Sequence, residues 1–184
     1  IGLSILPRGY ASDTQSGTLQ QQRQAYTQSL KLAREGQWQP LRIQRQSLLG
    51  YPLYPYLLYD DLIADMRYSR RAEIRDYLTD YEGTIKAELL QGKWLDLLVR
   101  QQRWQSYVDF YLLNGYANNG ANTSRQCHFY LSQYQIGNKA EAVRDGLRLW
   151  AKGNSQPKTC DQLFGLLMRG GHISEGLAWE RFNK

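Results

Sequence analysis

Apolar residues recur at helical spacing in short segments that end at a glycine. In the two clearest segments they occupy positions i, i+3, i+4 and i+7, the pattern of a helix with one buried face. These stripes are Cys127, Tyr130, Leu131 and Tyr134, and Cys160, Leu163, Phe164 and Leu167. A threonine with a glutamine three residues later stands at the start of each, which is typical of a helix N-terminus. The pattern therefore predicts two similar amphipathic helices.

Capping signals and glycines divide the rest of the chain in the same way. Capping boxes are predicted at Thr18, Thr123 and Thr159, and Ser174 is predicted to cap the last helix. The predicted helices cover residues 18–33, 38–49, 55–66, 69–81, 84–102, 104–113, 123–136, 138–152, 159–169 and 174–182. Residues 1–16 carry little pattern and are predicted to be an irregular lead-in. No segment of the sequence shows the alternation of a β-strand, so the predicted fold is all-α.

The predicted helices are too short to bury an apolar face alone, and tight turns join them. Helical solenoids are built in this way, from neighbouring hairpins that cover each other's apolar faces. The spacing of the hairpins follows no strict period. We therefore expect residues 17–184 to form an irregular α-superhelix (solenoid) of short antiparallel helical hairpins.

Two prolines interrupt the helices within the segment Tyr51–Pro55. Proline fixes φ near −65° and removes a backbone donor, and it pushes the residue before it towards an extended conformation. Tyrosines at positions 51, 54, 56 and 59 add a large, rigid apolar area. The segment predicts a fixed corner between two helices, packed as core and without a ligand.

Helix 84–102 differs from its neighbours because apolar residues cover most of its circumference. A helix that is apolar most of the way round is buried between neighbours on two sides. We therefore expect Ile85 and Leu89 to be covered as well as Leu90 and Trp94.

The composition is that of an ordinary globular protein, with 42% hydrophobic and 22% charged residues. The 23 basic and 17 acidic residues give a net charge of +6, which indicates a mild attraction to anionic polymers. No apolar run approaches the roughly 18 residues of a membrane-spanning helix, so no transmembrane segment is predicted.

Few polar side chains have the spacing that catalysis or metal binding requires. His128 and His172 have no partner at ligand spacing, and we expect surface or capping roles for them. Asp60, Asp61 and Asp65 lie on or near one helix and are expected on a solvated face. The sequence therefore predicts no catalytic residue, no metal ligand and no cofactor.

A ladder of arginines could meet phosphate groups. It consists of Arg67, Arg70, Arg71 and Arg75. No base-reading motif accompanies it, so a solvated helix face is the preferred interpretation and no nucleic-acid partner is expected.

Cys127 and Cys160 are the only cysteines, and their spacing excludes a zinc knuckle or a redox Cys-x-x-Cys pair. They lie at the start of equivalent stripes, on helices separated by one intervening helix. In a solenoid, alternate helices stack side by side with the same orientation, which would place the two sulfur atoms at one level. From this pattern two buried thiols and one disulfide both remain open.

Three segments resemble the N-terminal superhelical domain of soluble lytic murein transglycosylases. They are residues 51–56 (YPLYPY), 149–157 (LWAKGNSQP) and 160–164 (CDQLF). The hairpin at Gly137–Ala142 and the ending Trp179–Arg181 are similar as well, so the resemblance extends from about Leu30 to Arg181. The helical hairpins alone would fit many tetratricopeptide-like proteins.

The resemblance implies a periplasmic enzyme that cleaves the β-1,4 bond between N-acetylmuramic acid and N-acetylglucosamine without water. The product is a 1,6-anhydro sugar. The resemblance further implies a ring of helices that positions the glycan strand beside a lysozyme-like domain, where one glutamate acts as acid and then as base. The family's cysteines match Cys127 and Cys160, so the resemblance also implies a disulfide, which suits an oxidising periplasm.

The sequence lacks the Glu-Ser start and the Gly-Leu-Met-Gln signature of that catalytic domain. The segment Gly165–Arg169 is only superficially similar to it, and nothing marks Glu175 or Glu180 as a proton donor. We therefore expect the first part of the superhelix without the catalytic domain, inactive by itself. As part of the full-length enzyme, it would contact the glycan strands of peptidoglycan. Its last helix could also associate with a second copy of the chain.

Two other interpretations belong to different classes of protein. One is a complete helical-repeat (tetratricopeptide-like) adaptor that binds a protein partner, and the other is a basic nucleic-acid binder. A reading frame that continues into Gly-Leu-Met-Gln would exclude the adaptor. Salt-dependent retention on DNA, compared with retention on murein sacculi, would test the nucleic-acid binder.

Overall fold

The computed structural model describes residues 10–115, 122–152 and 155–182. In these residues there are ten α-helices, three 3₁₀ helices and no β-strand, so the predicted all-α fold is confirmed. The α-helices are α1 (Tyr10–Arg34), α2 (Trp38–Gln44), α3 (Tyr54–Ala64), α4 (Arg71–Asp80), α5 (Ile85–Arg100), α6 (Trp104–Leu113), α7 (Thr123–Gln135), α8 (Lys139–Trp150), α9 (Asp161–Arg169) and α10 (Glu175–Phe182). The 3₁₀ helices are Arg45–Leu48, Tyr68–Arg70 and Lys158–Cys160.

The chain divides into two compact units, residues 1–92 and 93–184. Within the described ranges, no helix has both the length and the apolar character needed to cross a membrane.

Helix α1 begins at Tyr10, earlier than the sequence predicts. Residues 10–16, predicted to belong to an irregular lead-in, are therefore helical, while residues 1–9 of that lead-in lie outside the described residues. No proline lies between Tyr10 and Thr18, so a helix that begins at Tyr10 is not broken before Thr18. A capping residue stabilises a helix start by only about 1 kcal/mol, so it does not stop a helix that runs through it. The capping box predicted at Thr18 is wrong.

The capping boxes predicted at Thr123 and Thr159 are also wrong. Helix α7 is capped by Asn122, whose side-chain oxygen accepts a hydrogen bond from the Ser124 N–H at 2.9 Å. Helix α9 has no side-chain cap, because the 3₁₀ turn Lys158–Cys160 leads directly into it. Ser174 does act as predicted, since its hydroxyl accepts a hydrogen bond from the Leu177 N–H at 3.3 Å.

The proline corner packs into the core of the first unit, as predicted. Tyr51 is 9% exposed and lies in one buried cluster with Leu48 and Leu57. The ring of Tyr26, on α1, lies 5.4 Å from the Tyr51 ring. Gly50 has a φ of +82° in the turn that enters the corner, a conformation that favours glycine. Aromatic packing therefore fixes the path of the chain between α2 and α3.

Helix α5 is less buried than its apolar circumference predicts. Leu90 and Trp94 are buried, whereas Ile85 and Leu89 are 76% and 49% exposed. Apolar residues are common on protein surfaces, so apolar character alone does not determine burial. The expectation that both faces of this helix are covered is wrong for its N-terminal turns.

A disulfide between Cys127 and Cys160 lies in the core of the second unit. Both cysteines are fully buried, and their Cα atoms are 5.0 Å apart. The buried residues around them are Leu131, Leu149, Leu163, Phe164 and Leu167. The bond joins α7 to the turn that begins α9, with α8 between them in the chain. Alternate helices thus meet side by side, as expected for stacked hairpins.

Helix α8 packs closely against both of its neighbours in sequence. At Gly146 a Cβ atom would lie only 3.1 Å from a methyl carbon of Leu167 on α9. A side chain at this position would therefore require the Leu167 side chain to shift by a few tenths of an ångström.

Removing the disulfide should destabilise the protein. The double variant Cys127→Ala/Cys160→Ala is expected to lose about 3–4 kcal/mol of unfolding free energy, because the bond closes a long loop in the unfolded chain. Equilibrium urea denaturation measures this loss. Labelling with iodoacetamide under denaturing, non-reducing conditions provides a direct check. Alkylation of both cysteines in protein from an oxidising compartment would show that the bond is not formed.

Candidate functional site

Acidic and basic residues form a buried ion cluster in the first unit. The carboxylate of Asp61 is fully buried and lies 2.8 Å from Arg42 Nε, 3.0 Å from Arg45 Nη1 and 2.8 Å from Arg70 Nη2. Arg45 and Arg70 are themselves only 8% and 6% exposed. The expectation that Asp61 and Arg70 lie on solvated helix faces is therefore wrong.

Asp65 and Glu73 complete the ion cluster at its edge. Asp65 accepts a hydrogen bond from Arg42 at 2.8 Å, and Glu73 accepts two from Arg70 at 3.0 and 2.8 Å. These hydrogen bonds are the main reason why the pKa of Asp65 and the pKa of Glu73 lie below their ordinary values. Both carboxylates therefore stay ionised and paired at neutral pH.

The other arginines of the predicted ladder do not form a continuous basic face. Arg75 is exposed and contacts the adjacent Asp76 at 2.9 Å, and Arg71 lies over the Tyr68 ring at 5.1 Å. The guanidinium group of Arg70 is directed at carboxylates of its own chain. The ion cluster therefore joins α2, α3 and α4 and has a structural role.

Loss of the Asp61 charge should destabilise the first unit. Asp61→Asn is expected to lower the free energy of unfolding by about 3–5 kcal/mol, because buried guanidinium groups lose their shared carboxylate. The matched control is Asp76→Asn, at an exposed pair on α4, for which a change within about 0.5 kcal/mol is expected. Urea denaturation compares the two variants, and equal effects would contradict the proposed role of the ion cluster.

A groove in the second unit has the dimensions of a ligand-binding site. It consists of two adjoining clefts of about 660 and 450 Å³, which share Val99, Arg100 and Gln162. Ligand sites in proteins usually measure about 300–1,000 Å³. We call it the α7–α9 groove, because it is lined by His128, Leu131 and Gln135 of α7 and by Gln162, Leu166 and Arg169 of α9. Along each of these helices the lining residues span about two turns, roughly 10 Å.

The disulfide fixes the two walls of the α7–α9 groove. Cys127 directly precedes His128, and Cys160 lies between Thr159 and Asp161. His128, Thr159 and Asp161 line the groove. Because the two cysteine Cα atoms are held 5.0 Å apart, these wall residues cannot separate without moving the core. The groove is therefore a fixed feature of the second unit.

Charged side chains of both signs line the α7–α9 groove. They are Arg100, Lys158 and Arg169, and Asp96 and Asp161. In the part of the chain that the structure describes, none of the five has an oppositely charged group within 4.0 Å. The arginines of α8, by contrast, pair with Asp145 at 3.0 Å. The groove thus offers charges of both signs to a ligand.

His128 lies inside α7 and not at a helix end, so the expected capping role is wrong for it. Its ring is half-buried and stands edge-on to Tyr107, with 6.2 Å between ring centroids. Burial lowers the pKa of His128, partly opposed by Asp96, so the ring is neutral at neutral pH. A neutral imidazole can donate one hydrogen bond and accept another in the groove. His172, which follows α9, is exposed as expected.

A second cleft, of about 440 Å³, lies at the proline corner of the first unit. Its lining is mainly the rings of Pro52, Pro55, Tyr56, Tyr77 and Tyr81. Burial raises the pKa of Tyr77, so its hydroxyl remains protonated. The cleft has fewer charged groups than the α7–α9 groove, since Lys86 is the one charged side chain among its described lining residues.

The described residues contain no group of three His, Cys, Asp or Glu side chains arranged to hold a metal ion. Glu175 and Glu180 are exposed on α10 and do not line either of the clefts described above. The α7–α9 groove was not predicted from the sequence, because its walls come from segments far apart in the chain. The spacing of Gln162, Leu166 and Arg169 on the more polar face of α9 is the signal that could have indicated it.

Comparison with known proteins finds soluble lytic murein transglycosylases. No protein-family model matches the chain. The chain is 26% identical over 161 residues to the soluble lytic murein transglycosylase of Escherichia coli strain K12, which covers 88% of this chain and 24% of that protein. The chain thus spans about a quarter of the length of the curated relatives it matches.

Two solved structures are similar to the described fold. The 70-kDa soluble lytic transglycosylase of Escherichia coli matches with a TM-score of 0.71 and 26% identity, over 89% of this chain and 26% of that one. An inactive mutant of the lytic transglycosylase Slt from Pseudomonas aeruginosa matches with a TM-score of 0.67 and 32% identity, over 85% of this chain and 25% of that one. The resemblance predicted from the sequence is therefore confirmed.

Proposed function

We propose that this chain is a non-catalytic, superhelical scaffold portion of a periplasmic lytic transglycosylase. The observation that carries the proposal is the homology to soluble lytic murein transglycosylases over 88% of the chain. Stacked helical hairpins present extended concave surfaces, which suit a scaffold for a long polymer. The polymer would be the glycan strand of peptidoglycan, held while the full-length enzyme cleaves it.

The reaction of the full-length enzyme would be cleavage of the β-1,4 bond between N-acetylmuramic acid and N-acetylglucosamine, with a 1,6-anhydro product. A glycosidase acid protonates the leaving oxygen from a pocket that raises its pKa. Glu175 and Glu180 lie on an exposed helix and offer no such pocket. We therefore assign the proton transfer to a catalytic domain other than residues 17–184.

The disulfide supports the periplasmic assignment. Disulfides persist in oxidising compartments and are rare where thiols are kept reduced. A buried bond between Cys127 and Cys160 in the core of the second unit suits a protein that folds in the periplasm.

A helical-repeat adaptor that binds another protein is the second candidate. Exposed apolar residues on α5, chiefly Ile85 and Leu89, favour it, because open apolar faces often mark protein interfaces. The nucleic-acid binder is disfavoured, because Arg70 of the basic ladder is buried against carboxylates.

The 184-residue chain should bind murein sacculi without degrading them. We expect it to co-sediment with sacculi and to release no anhydro-muropeptides above a buffer control, as measured by mass spectrometry. A full-length soluble lytic transglycosylase serves as the positive control. Release of the anhydro product would place catalysis in this chain, and a failure to co-sediment would favour the adaptor.

We also propose that α10 mediates self-association of the chain. Leu177 and Trp179 on this helix are 36% and 64% exposed. The sedimentation coefficient should therefore rise with protein concentration, and Trp179→Ser should reduce the rise. Met168→Ser, at an exposed site on α9, is the matched control. A monomer at all concentrations, with α10 as protected from hydrogen exchange as α7, would contradict the proposal.

A further inference from the structure

We propose that the α7–α9 groove binds the peptide stems of peptidoglycan, short peptides that carry several carboxylates and a free ammonium group. The choice of peptidoglycan as the source of the ligand rests on the proposed function. The chemical class of the ligand rests on the groove itself.

The cations of the groove are placed for carboxylates. Arg100 and Arg169 line one cleft, and Arg100 and Lys158 line the cleft that adjoins it. A guanidinium group binds a carboxylate through two parallel hydrogen bonds, which gives both affinity and orientation. Elsewhere in the described chain, arginines such as Arg42 and Arg144 already contact a carboxylate. Those of the groove remain available to a ligand.

The anions of the groove restrict the ligand further. Asp96 and Asp161 lie among the three cations and are likewise without an ion pair in the described residues. They would repel a uniformly negative polymer such as nucleic acid, since like charges brought together oppose binding. They would pair with an ammonium group. A ligand that has carboxylates at some positions and an amine at another therefore matches both the cations and the anions of the groove.

The remaining lining suits a peptide. The amide side chains of Gln102, Gln135 and Gln162 can each donate to and accept from a peptide bond. Leu131 and Leu166 provide apolar contacts for methyl and methylene groups. At about 3.3 Å per extended residue, the roughly 10 Å along α7 and α9 accommodate three residues. An uncharged glycan would leave all five charges of the groove unpaired.

Calorimetric titration of the full 184-residue chain tests this assignment. The probes are the free tripeptide L-Ala-γ-D-Glu-diaminopimelate and chitotetraose, a glycan without peptide or carboxylate. We expect the tripeptide to bind, and Arg100→Gln and Arg169→Gln each to weaken it about tenfold or more, as loss of a charged hydrogen bond implies. Arg144→Gln, at an exposed arginine outside the groove, is the control and should leave affinity unchanged. Equal thermal unfolding of all variants would show that they are folded.

The outcomes separate this inference from the proposed function. Binding of sacculi by a chain that does not bind the tripeptide would overturn the inference and leave the scaffold proposal intact. Tripeptide binding that the groove variants do not weaken would also overturn it, as would chitotetraose binding that they do weaken. If the tripeptide binds in the groove but sacculi do not co-sediment, the inference holds and the scaffold proposal fails.

Discussion

The covalent link between Cys127 and Cys160 is the constraint on which the second unit depends. Helices α7, α8 and α9 are 13, 12 and 9 residues long, and isolated helices of that length are marginal in water. They become stable by covering each other's apolar stripes around the disulfide, with the close approach at Gly146 joining α8 to α9. The same bond sets the distance between the walls of the α7–α9 groove. The disulfide therefore holds both the core of the second unit and the walls of the candidate site in place.

The first unit is held together by different means. A buried carboxylate, Asp61, is shared by arginines from α2, from the 3₁₀ turn after it and from the 3₁₀ turn that precedes α4. Such a cluster is costly to bury, and its ions become tolerable only because each one has a partner. Together with the packed tyrosines of the proline corner, it orients short helices that have no disulfide. Its arginines serve the fold, whereas those of the α7–α9 groove are free of ion pairs in the described residues and available to a ligand.

Sequence pattern predicted the helices well and their surroundings less well. Helical spacing, prolines and glycines are local signals, so the helices from α2 to α10 and the corner at Tyr51 followed from them. Asp61 looked solvated because two of its partners, Arg42 and Arg45, lie in the preceding helical segment, outside any local pattern. Thr123 was displaced as a cap by its neighbour Asn122, a competition that differs by a fraction of a kcal/mol. The groove was not predicted because it exists only once α5, α7 and α9 are brought together, and the spacing of polar residues on α9 alone does not show what faces them.

We propose that this chain binds peptidoglycan through the α7–α9 groove. Heteronuclear NMR of the labelled chain, titrated with a soluble disaccharide-tripeptide fragment of peptidoglycan, tests this binding. We expect shift changes concentrated at Arg100, Gln162, Arg169 and the indole of Trp104, which also lines the groove, and we expect the fragment to remain chemically intact. Shift changes centred on the cleft at the proline corner or on α10 would contradict the proposal, and so would the absence of shift changes at saturating concentrations of the fragment.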